Sequence, residues 1–424
     1  MTEEFLYYIW RYKLFNNELF TSSGEKISIF NQGIRNADSG PDFFNAKISI
    51  GNTLWAGNVE IHINSSDWYK HKHNLDKAYD SVILHVVYNN DVDVKRLDNQ
   101  IIPVLELKGK FDENLYFRYE DFMNNKNIIP CEKLFYQADD FIVKSWLESL
   151  LIERLENKSK HIIKSLKFNN NDWEQTFYQN LAYNFGLKIN SLTFKLLAES
   201  IPLKYLLKHK DNLLQIEAML FGQSGLLDFD FNDEYPNILK REYIFLKNKF
   251  SLQPLEPHLW KYLRLRPSNF PNIRISQFAN LIYKSSNLFS EIIENKNLNN
   301  IIALFNVSCS SYWDNHYVFD KLSVKRKKNL GKSFVNLILI NSVIPFIFVY
   351  GIHKDIQEYK ERALNFLMKI KGERNSIVKI WQSLGADITT AFNTQALIEL
   401  KKNYCDKKKC LNCRIGNYLL RKNL

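Results

Sequence analysis

The 424-residue sequence lacks the features that mark secreted proteins. It has only five cysteines, an odd number that does not suit a disulfide framework, and three of them fall within nine residues. The first ten residues contain two glutamates and lack the basic-then-apolar order of a signal peptide. We therefore expect a cytoplasmic protein in a reducing compartment.

The sequence also lacks a long uninterrupted hydrophobic run. Its most apolar stretch, residues 334–349, is interrupted by Asn336, Asn341, Ser342 and Pro345. That stretch is shorter than the roughly 20 residues that a membrane-spanning helix needs, so we expect no membrane association. Hydrophobic residues make up 45% of the chain and charged residues 24%, which excludes a largely disordered protein.

Charge and hydrophobic periodicity both change near residue 136. Residues 1–136 carry 15 Lys/Arg and 19 Asp/Glu, whereas residues 137–424 carry 42 and 27, which gives net charges of −4 and +15. The first part predicts a mixed sheet with flanking helices, and the second shows mainly helical spacing. We therefore expect an α+β protein with an α/β domain at 1–136 and a basic, all-helical domain at 137–424. The basic domain favours a polyanionic partner, DNA or RNA.

The first 110 residues predict a definite order of elements: a helix, three strands, a second helix and two more strands. The predicted helices are residues 2–14, with Thr2 as N-cap, and a segment that begins near Asp67; the predicted strands are 26–31, 43–50, 54–63, 81–88 and 101–107. Residues 81–88 form a continuous apolar, β-branched run, which is typical of a strand that is buried on both faces.

Two short motifs carry acidic residues at strand positions: Gly40-Pro41-Asp42-Phe43 and Glu60-Ile61-His62. Residues two apart in a strand point to the same face, so Glu60 and His62 project together. A three-residue loop at 51–53 would place Asp42 opposite His62, with Glu60 diagonal to it. A two-residue loop would turn Asp42 to the other face unless a bulge at Gly57 restored the register. The apolar pattern favours the three-residue loop.

Two carboxylates that converge repel each other unless a cation lies between them. Oxygen ligands suit Mg²⁺ or Mn²⁺, so Asp42 and Glu60 are predicted metal ligands. His62 is the third candidate catalytic residue, as a base, as a further ligand or as a group that positions phosphate. The simpler interpretation is that Asp42 belongs to a Gly-Pro-Asp turn and that Glu60 is a solvated cross-strand residue.

Other polar residues near this hairpin are candidate phosphate or substrate contacts: Lys47, Asp67, Lys72, His71, His73 and His85. His71 and His73 are two residues apart and cannot share one helix face, so a metal site that used both would need an irregular turn. His85 lies in a strand predicted to be buried, where a histidine is more often hydrogen-bonded in the core than catalytic.

The last cysteines follow the pattern Cys405-x4-Cys410-x2-Cys413 in a lysine-rich segment. Two cysteines separated by two residues are typical of zinc or iron–sulfur ligation. We expect a structural metal here, with a fourth ligand from Cys131, Cys309 or a histidine. The alternative is three free thiols on a basic surface.

The order of elements, Pro41-Asp42 and Glu60-Ile61-His62 together resemble the PD-(D/E)xK superfamily of restriction-endonuclease-like nucleases, with His62 at the lysine position. The resemblance implies a Mg²⁺- or Mn²⁺-dependent nuclease that acts on DNA or RNA. The alternative is a catalytically decayed nucleic-acid-binding module or protein-interaction scaffold of the same fold.

The whole chain also resembles a bacterial family catalogued as domain of unknown function 2851 (DUF2851). The resemblance rests on the stretch from Gly40 to His73, on Val82 to Tyr88, on Glu217 to Leu227 and on the C-terminal cysteines. It implies membership of that family and no particular activity.

Overall fold

The computed structural model describes residues 1–15, 18–285 and 287–422. The chain divides into two compact units: the first is Met1–Trp146 together with Lys401–Leu424, and the second is Leu147–Leu400. The α+β class expected from the sequence is confirmed. The units differ from the expected domains in two respects: the boundary falls after Trp146 and not after residue 136, and the C-terminal segment belongs to the first unit and not to the helical one.

A mixed sheet forms the centre of the first unit. Its strands are β1 (Leu19–Phe20), β2 (Lys26–Asn31), β3 (Ile34–Arg35), β4 (Phe43–Ile50), β5 (Thr53–Asn64), β6 (Val82–Asn89) and β7 (Val104–Glu106). They lie in the order β1-β2-β4-β5-β6-β7, and β3 pairs with β4. The pairs β5–β6 and β6–β7 are parallel and the others are antiparallel. Residues 82–87 of β6 are all buried, as their apolar run predicts.

The β4–β5 hairpin differs from its expected geometry. Ile50 pairs with Thr53, so the loop has two residues and the predicted three-residue loop is wrong. A bulge lies in β4, where Asn45 adopts φ 58° and its N–H donates to Asn58 Oδ1 at 3.1 Å. An inserted residue shifts the register of the strand by one position.

The bulge decides which residues face each other at the far end of the hairpin. Beyond it, Phe43 pairs with Val59, so Asp42 comes opposite Glu60 and not opposite His62. The extra residue is on β4 and not at Gly57, where the sequence suggested it. The three-residue loop would also have placed Leu54 on the same face as Ala46 and Ile48, but Leu54 is 54% exposed whereas those two are buried.

Helices flank the sheet. The first, α1 (Glu3–Tyr12), begins at Thr2, whose hydroxyl accepts the Phe5 N–H at 3.3 Å as predicted. Trp10 is fully buried, and its Nε1 donates to the Gln32 carbonyl. The second helix begins at Asp67, as expected, but it is short: α2 (Asp67–Lys70) is followed by 3₁₀ turns at His73–Leu75 and Lys77–Tyr79. A third, α3 (Glu113–Asn124), was not predicted.

Helices make up most of the second unit, and α4 begins in the first. They are α4 (Asp140–Phe168), α5 (Trp173–Phe185), α6 (Ser191–Ser200), α7 (Leu203–Leu207), α8 (Leu213–Gln223), α9 (Glu234–Phe250), α10 (Pro271–Lys284), α11 (Leu288–Glu294), α12 (Leu298–Leu304), α13 (Lys332–Ile338), α14 (Ile344–Lys354), α15 (Gln357–Lys369), α16 (Ser376–Ser383) and α17 (Ala391–Glu399). The unit is not all-helical, because β8 (His316–Val318) and β9 (Lys321–Leu322) form a small antiparallel pair.

One helical run is longer than the sequence suggested. Lys332–Lys354 is continuous over 23 residues and is long and apolar enough to cross a membrane by length and composition alone. However, 72% of its most apolar window is buried inside the protein, as in a core helix. A π-helical turn at Leu339–Val343 precedes Pro345 and keeps the run helical where proline removes a main-chain donor.

The C-terminal segment ends in α18 (Arg414–Arg421) and is held by long-range hydrogen bonds within the first unit. Arg118 Nη1 donates to the carbonyls of Leu420 and Lys422 at 3.2 and 2.6 Å, and Lys422 Nζ donates to the Gln137 carbonyl at 2.8 Å. Because these partners lie about 300 residues apart in sequence, local patterns give no sign of them.

Replacing Gly57 tests the packing of β5 against β6. An alanine Cβ there would lie 2.4 Å from Ile83 Cγ2 and 2.6 Å from the Ser81 carbonyl oxygen. We expect Gly57→Ala to lower the free energy of unfolding by about 1–3 kcal/mol, as overpacking usually does. Gly331→Ala is the matched control, because its Cβ would meet nothing within 4 Å. Equal unfolding midpoints for the two variants in urea would contradict this packing.

Candidate metal centre

The Gly-Pro-Asp segment is held in place by one asparagine. The Asn36 side-chain amide donates to the carbonyls of Asp38, Ser39 and Pro41 at 3.0–3.2 Å, and its main-chain N–H donates to the Asp42 carbonyl at 2.7 Å. These bonds fix the tight loop that leads into β4. Asp42 is therefore held at one position at the start of the strand.

Two main-chain N–H groups hold the side chains of Asp42 and Glu60 next to each other. The Asp42 N–H donates to Glu60 Oε2 at 3.1 Å, and the Ile61 N–H donates to Asp42 Oδ2 at 2.9 Å. Each carboxyl group thus accepts a main-chain hydrogen bond beside the other. The sequence analysis predicted that the side chains of Asp42 and Glu60 converge, and the structure brings them together.

Both carboxyl groups have raised pKa values. Burial and then the charge of Glu60 raise the pKa of Asp42 to about 7. Burial raises the pKa of Glu60 to about 8. A cation bound between the two carboxyl groups would favour their ionised forms and so offset both the cost of burial and the repulsion between the two charges.

Two histidines lie beside Glu60, and a third lies beside His62. His62 Nε2 is 3.5 Å from Glu60 Oε1 and 3.1 Å from His71 Nδ1, and His73 Nε2 is 3.3 Å from Glu60 Oε1. One donor nitrogen from each of His62, His71 and His73 lies within 4.8 Å of the other two. Together with Asp42 and Glu60 these residues form what we call the His–carboxylate cluster.

An irregular turn brings His71 and His73 to the same point. His71 caps the end of α2, Lys72 takes a left-handed conformation with φ 61°, and His73 begins the following 3₁₀ turn. A continuous helix would have pointed the two rings in different directions. The sequence analysis predicted that a site using both histidines would need an irregular turn, and the left-handed conformation of Lys72 provides that turn.

His85 orients His62 from within the core. His85 is fully buried in β6, and its Nε2 lies 2.8 Å from His62 Nδ1. Its Nδ1 has no hydrogen-bond partner among the residues that the structure describes. When His62 Nδ1–H donates to His85, the Nε2 lone pair of His62 is free for a metal ion, which is how an outer residue fixes a ligand's tautomer.

Burial keeps both of these histidines neutral. It lowers the pKa of His62 to about 2, with a further contribution from His85, and it lowers the pKa of His85 to about 3. Burial also holds the pKa of His73 below its ordinary value. Neutral imidazole is the form that binds a metal ion.

The remaining sequence candidates are placed differently. Asp67 accepts the Asn64 N–H at 3.0 Å and Lys70 Nζ at 2.6 Å, which is a local bond pattern at the start of α2. Lys72 is exposed between the two histidines. Lys47 is exposed five residues beyond Asp42 on β4, or roughly 16 Å along a strand, and does not join the cluster.

Three residues at the site were missed from the sequence. The Tyr7 hydroxyl, on α1, hydrogen-bonds to the Asp42 side chain, and the Arg35 guanidinium lies 4.8 Å from the centre of the Tyr7 ring. Glu3, one turn earlier on α1, has a raised pKa because of burial, and the charges of His71 and Asp67 act on it. Glu3 and Tyr7 are four residues apart and share one helix face, which was the available signal.

The cluster offers nitrogen and oxygen donors together. Imidazole suits Mn²⁺, Fe²⁺ and Zn²⁺, whereas Mg²⁺ prefers oxygen ligands. The arrangement therefore fits one first-row transition metal better than the Mg²⁺ that the two carboxylates alone suggested.

Comparison with known proteins gives one family match. A family model described as "Protein of unknown function (DUF2851)" matches residues 3–376, which is most of the chain but excludes the C-terminal cysteines. No curated protein and no solved structure matches the chain.

The pKa shifts predict how stability depends on pH when metal is removed. The folded-state pKa values of Asp42 and Glu60 lie above the unfolded values of about 3.9 and 4.3, so the folded protein keeps protons that the unfolded chain has released. Their contribution to stability is therefore lost as pH rises through about 7 and 8. His62 and His85 act in the opposite direction, but only below the unfolded histidine pKa of about 6.5.

We therefore expect the unfolding temperature in EDTA to fall by roughly 2–4 °C between about pH 6.5 and 8.5. Glu60→Gln should flatten this slope, and Glu25→Gln, an exposed carboxyl before β2, should leave it unchanged. Calorimetry across this pH range measures both. The same slope in wild type and Glu60→Gln would contradict the raised pKa of Glu60.

Proposed function

The chain belongs to the DUF2851 family, and because that description assigns no activity, we propose one from the His–carboxylate cluster: a metal-dependent nuclease that hydrolyses phosphodiester bonds of DNA or RNA. The observation that carries the proposal is the pairing of Asp42 with Glu60 beside three histidines whose donor nitrogens lie close together. A buried pair of ionised carboxyl groups is unfavourable without a cation, and this supports the proposal that one is bound here.

The arrangement of elements supports this proposal. Helix α1 precedes the strands, Asp42 lies at the start of β4, and Glu60-Ile61-His62 lies in the antiparallel neighbour β5. Strand β6 then pairs parallel to β5 on its other side. This order and these positions resemble the PD-(D/E)xK pattern, with His62 where that pattern has lysine.

Each residue of the cluster has a distinct part in the proposed reaction. Glu60, His62, His71 and His73 would hold the ion, with Asp42 as a further carboxylate ligand. A bound divalent ion lowers the pKa of a coordinated water and neutralises charge on the scissile phosphate. Tyr7 and Ile61 N–H orient Asp42, and His85 orients His62.

Cations near the cluster would contact the substrate backbone. Lys72 and Arg35 are both exposed, one between the metal-binding histidines and one over the Tyr7 ring. Lysine and arginine bind phosphate strongly, and each neutralised phosphate releases counterions. The net charge of +11 further favours a polyanionic substrate.

Cleavage assays with defined variants test the proposal. With Mn²⁺ present, the protein should cleave single-stranded, double-stranded or branched nucleic acid, and EDTA should stop the reaction. Asp42→Asn and Glu60→Gln should each lower the rate by at least ~100-fold, because even outer-shell partners of a metal contribute about 10–100-fold. Lys47→Ala, on the same strand as Asp42 but away from the cluster, is the control.

The outcome separates the candidate functions. Salt-sensitive binding without cleavage of any of these substrates would favour a nucleic-acid-binding module whose site has decayed. Absence of both binding and cleavage would leave a protein-interaction scaffold.

His62→Lys distinguishes two roles for His62. If His62 only replaces the lysine of the superfamily pattern, H62K should retain or raise activity. The contacts of Nε2 with Glu60 and His71 favour a ligand role instead. We therefore expect H62K to lose at least ~10-fold in Mn²⁺ affinity by calorimetric titration, together with activity. Unchanged affinity would show that His62 is not a ligand.

A further inference from the structure

Four of the five cysteines lie in the first unit, and all four are buried. Cys131 precedes the 3₁₀ turn Glu132–Gln137, Cys405 ends the π-helical turn Leu400–Cys405, and Cys410 begins the turn Cys410–Asn412. Cys413 immediately precedes α18. We call these four residues the cysteine cluster.

The four thiols influence one another's ionisation. Burial and then the charges of Cys413 and Cys410 raise the pKa of Cys131. Burial and the charges of Cys413, Cys131 and Cys410 raise the pKa of Cys405. The turn Glu132–Gln137, which follows Cys131, also contacts α18, which follows Cys413, so the structure brings Cys131 to the C-terminal cysteines.

The fifth cysteine is placed elsewhere. Cys309 lies in the second unit, and its thiol donates to the Ile273 carbonyl at 3.5 Å. Of the fourth ligands considered from the sequence, Cys131 is therefore the one that the structure supports.

The main chain around Cys405, Cys410 and Cys413 is folded tightly, so that these three residues lie in one compact segment. The Cys413 N–H donates to the Cys410 carbonyl at 3.3 Å, and the Lys408 N–H donates to the Cys405 carbonyl at 3.1 Å. A Cβ on Gly416 would lie 2.5 Å from the Cys410 carbonyl oxygen, so only glycine fits there. Burial raises the pKa of the Cys413 thiol, and hydrogen bonds from the N–H groups of Gly416 and Ile415 oppose that rise.

A lysine side chain ties this segment to the region before Cys131. Lys408 Nζ donates to the carbonyl of Met123, and also to that of Asn125 at 3.5 Å. The Asn125 side chain in turn donates to the Pro130 carbonyl at 2.6 Å. The loop that carries Cys131 is thus held against the C-terminal segment by bonds that are independent of the thiols.

We propose that Cys131, Cys405, Cys410 and Cys413 bind one metal centre through four thiolates. Four buried thiolates without a cation would repel one another, whereas zinc and iron–sulfur centres both accept four cysteine ligands. The centre joins residue 131 to residue 405 and so closes a loop of about 270 residues. Closing a long loop removes much entropy from the unfolded chain, so the centre stabilises the first unit.

The spacing of the sulfurs indicates which centre is bound. Among the described residues, no three of these sulfurs lie within 4.8 Å of one another. A tetrahedral zinc ion, with Zn–S distances near 2.3 Å, would place its sulfurs about 3.8 Å apart. An iron–sulfur cluster holds its thiolates further apart than a single ion does, so the absence of such a close group favours a cluster over a single zinc ion.

The test is the metal content of the full chain purified without oxygen or added metal. We expect iron and acid-labile sulfide, with visible absorption from the cluster. Cys131→Ser and Cys410→Ser should each lose at least ~10-fold of this content, whereas Cys309→Ser, also buried, should retain it. Metal bound at the His–carboxylate cluster would be retained in all three variants, so a loss in only two of them would come from the cysteine cluster.

X-ray absorption on the wild-type protein gives a second measurement, which needs no variant to fold. It should report iron with sulfur ligands only, supplied by the cysteine thiolates and the sulfide of the cluster. Zinc with four sulfur ligands would support the four-thiolate site but would show that it holds a single zinc ion and not an iron–sulfur cluster. Wild type without iron or zinc at sulfur ligands, or a folded Cys131→Ser variant with full content, would overturn the proposal.

Discussion

Asp42 and Glu60 lie side by side in a largely buried site, and each accepts a hydrogen bond from a main-chain N–H beside the other. Both carboxyl groups would be ionised in water at neutral pH, yet burial raises both pKa values to about 7 and 8. A protein gains nothing in stability from such a pair alone, since repulsion and desolvation both oppose folding. With the neutral His62 and His73 beside Glu60, the arrangement supports the proposal that this site binds one cation.

Local backbone irregularities make this arrangement possible. The bulge at Asn45 changes the register of β4, and so it moves Asp42 opposite Glu60. The left-handed residue Lys72 turns His71 and His73 towards the same point. Regular strands and a regular helix would have separated these side chains, and strained backbone conformations are common where function requires them.

Periodicity was sufficient to predict most of the sheet. Strands β2 and β4 have the bounds that alternation indicates, and the apolar run of β6 is buried. Periodicity could not predict the hairpin register, because two-residue and three-residue loops differ by a single position and the bulge compensates for that difference. The convergence of Asp42 with Glu60 was predictable from the motifs, but the contribution of Tyr7 and the approach of Cys131 to Cys405 depend on tertiary packing between distant segments.

The central claim is that the His–carboxylate cluster binds one transition-metal ion. Anomalous diffraction from crystals soaked in MnCl₂ tests it directly, because the manganese position can be compared with each side chain. The account predicts a single strong peak within about 2.0–2.6 Å of Glu60 Oε1 and His62 Nε2, with His73 also in contact. Fully occupied manganese elsewhere with none at this cluster would contradict it.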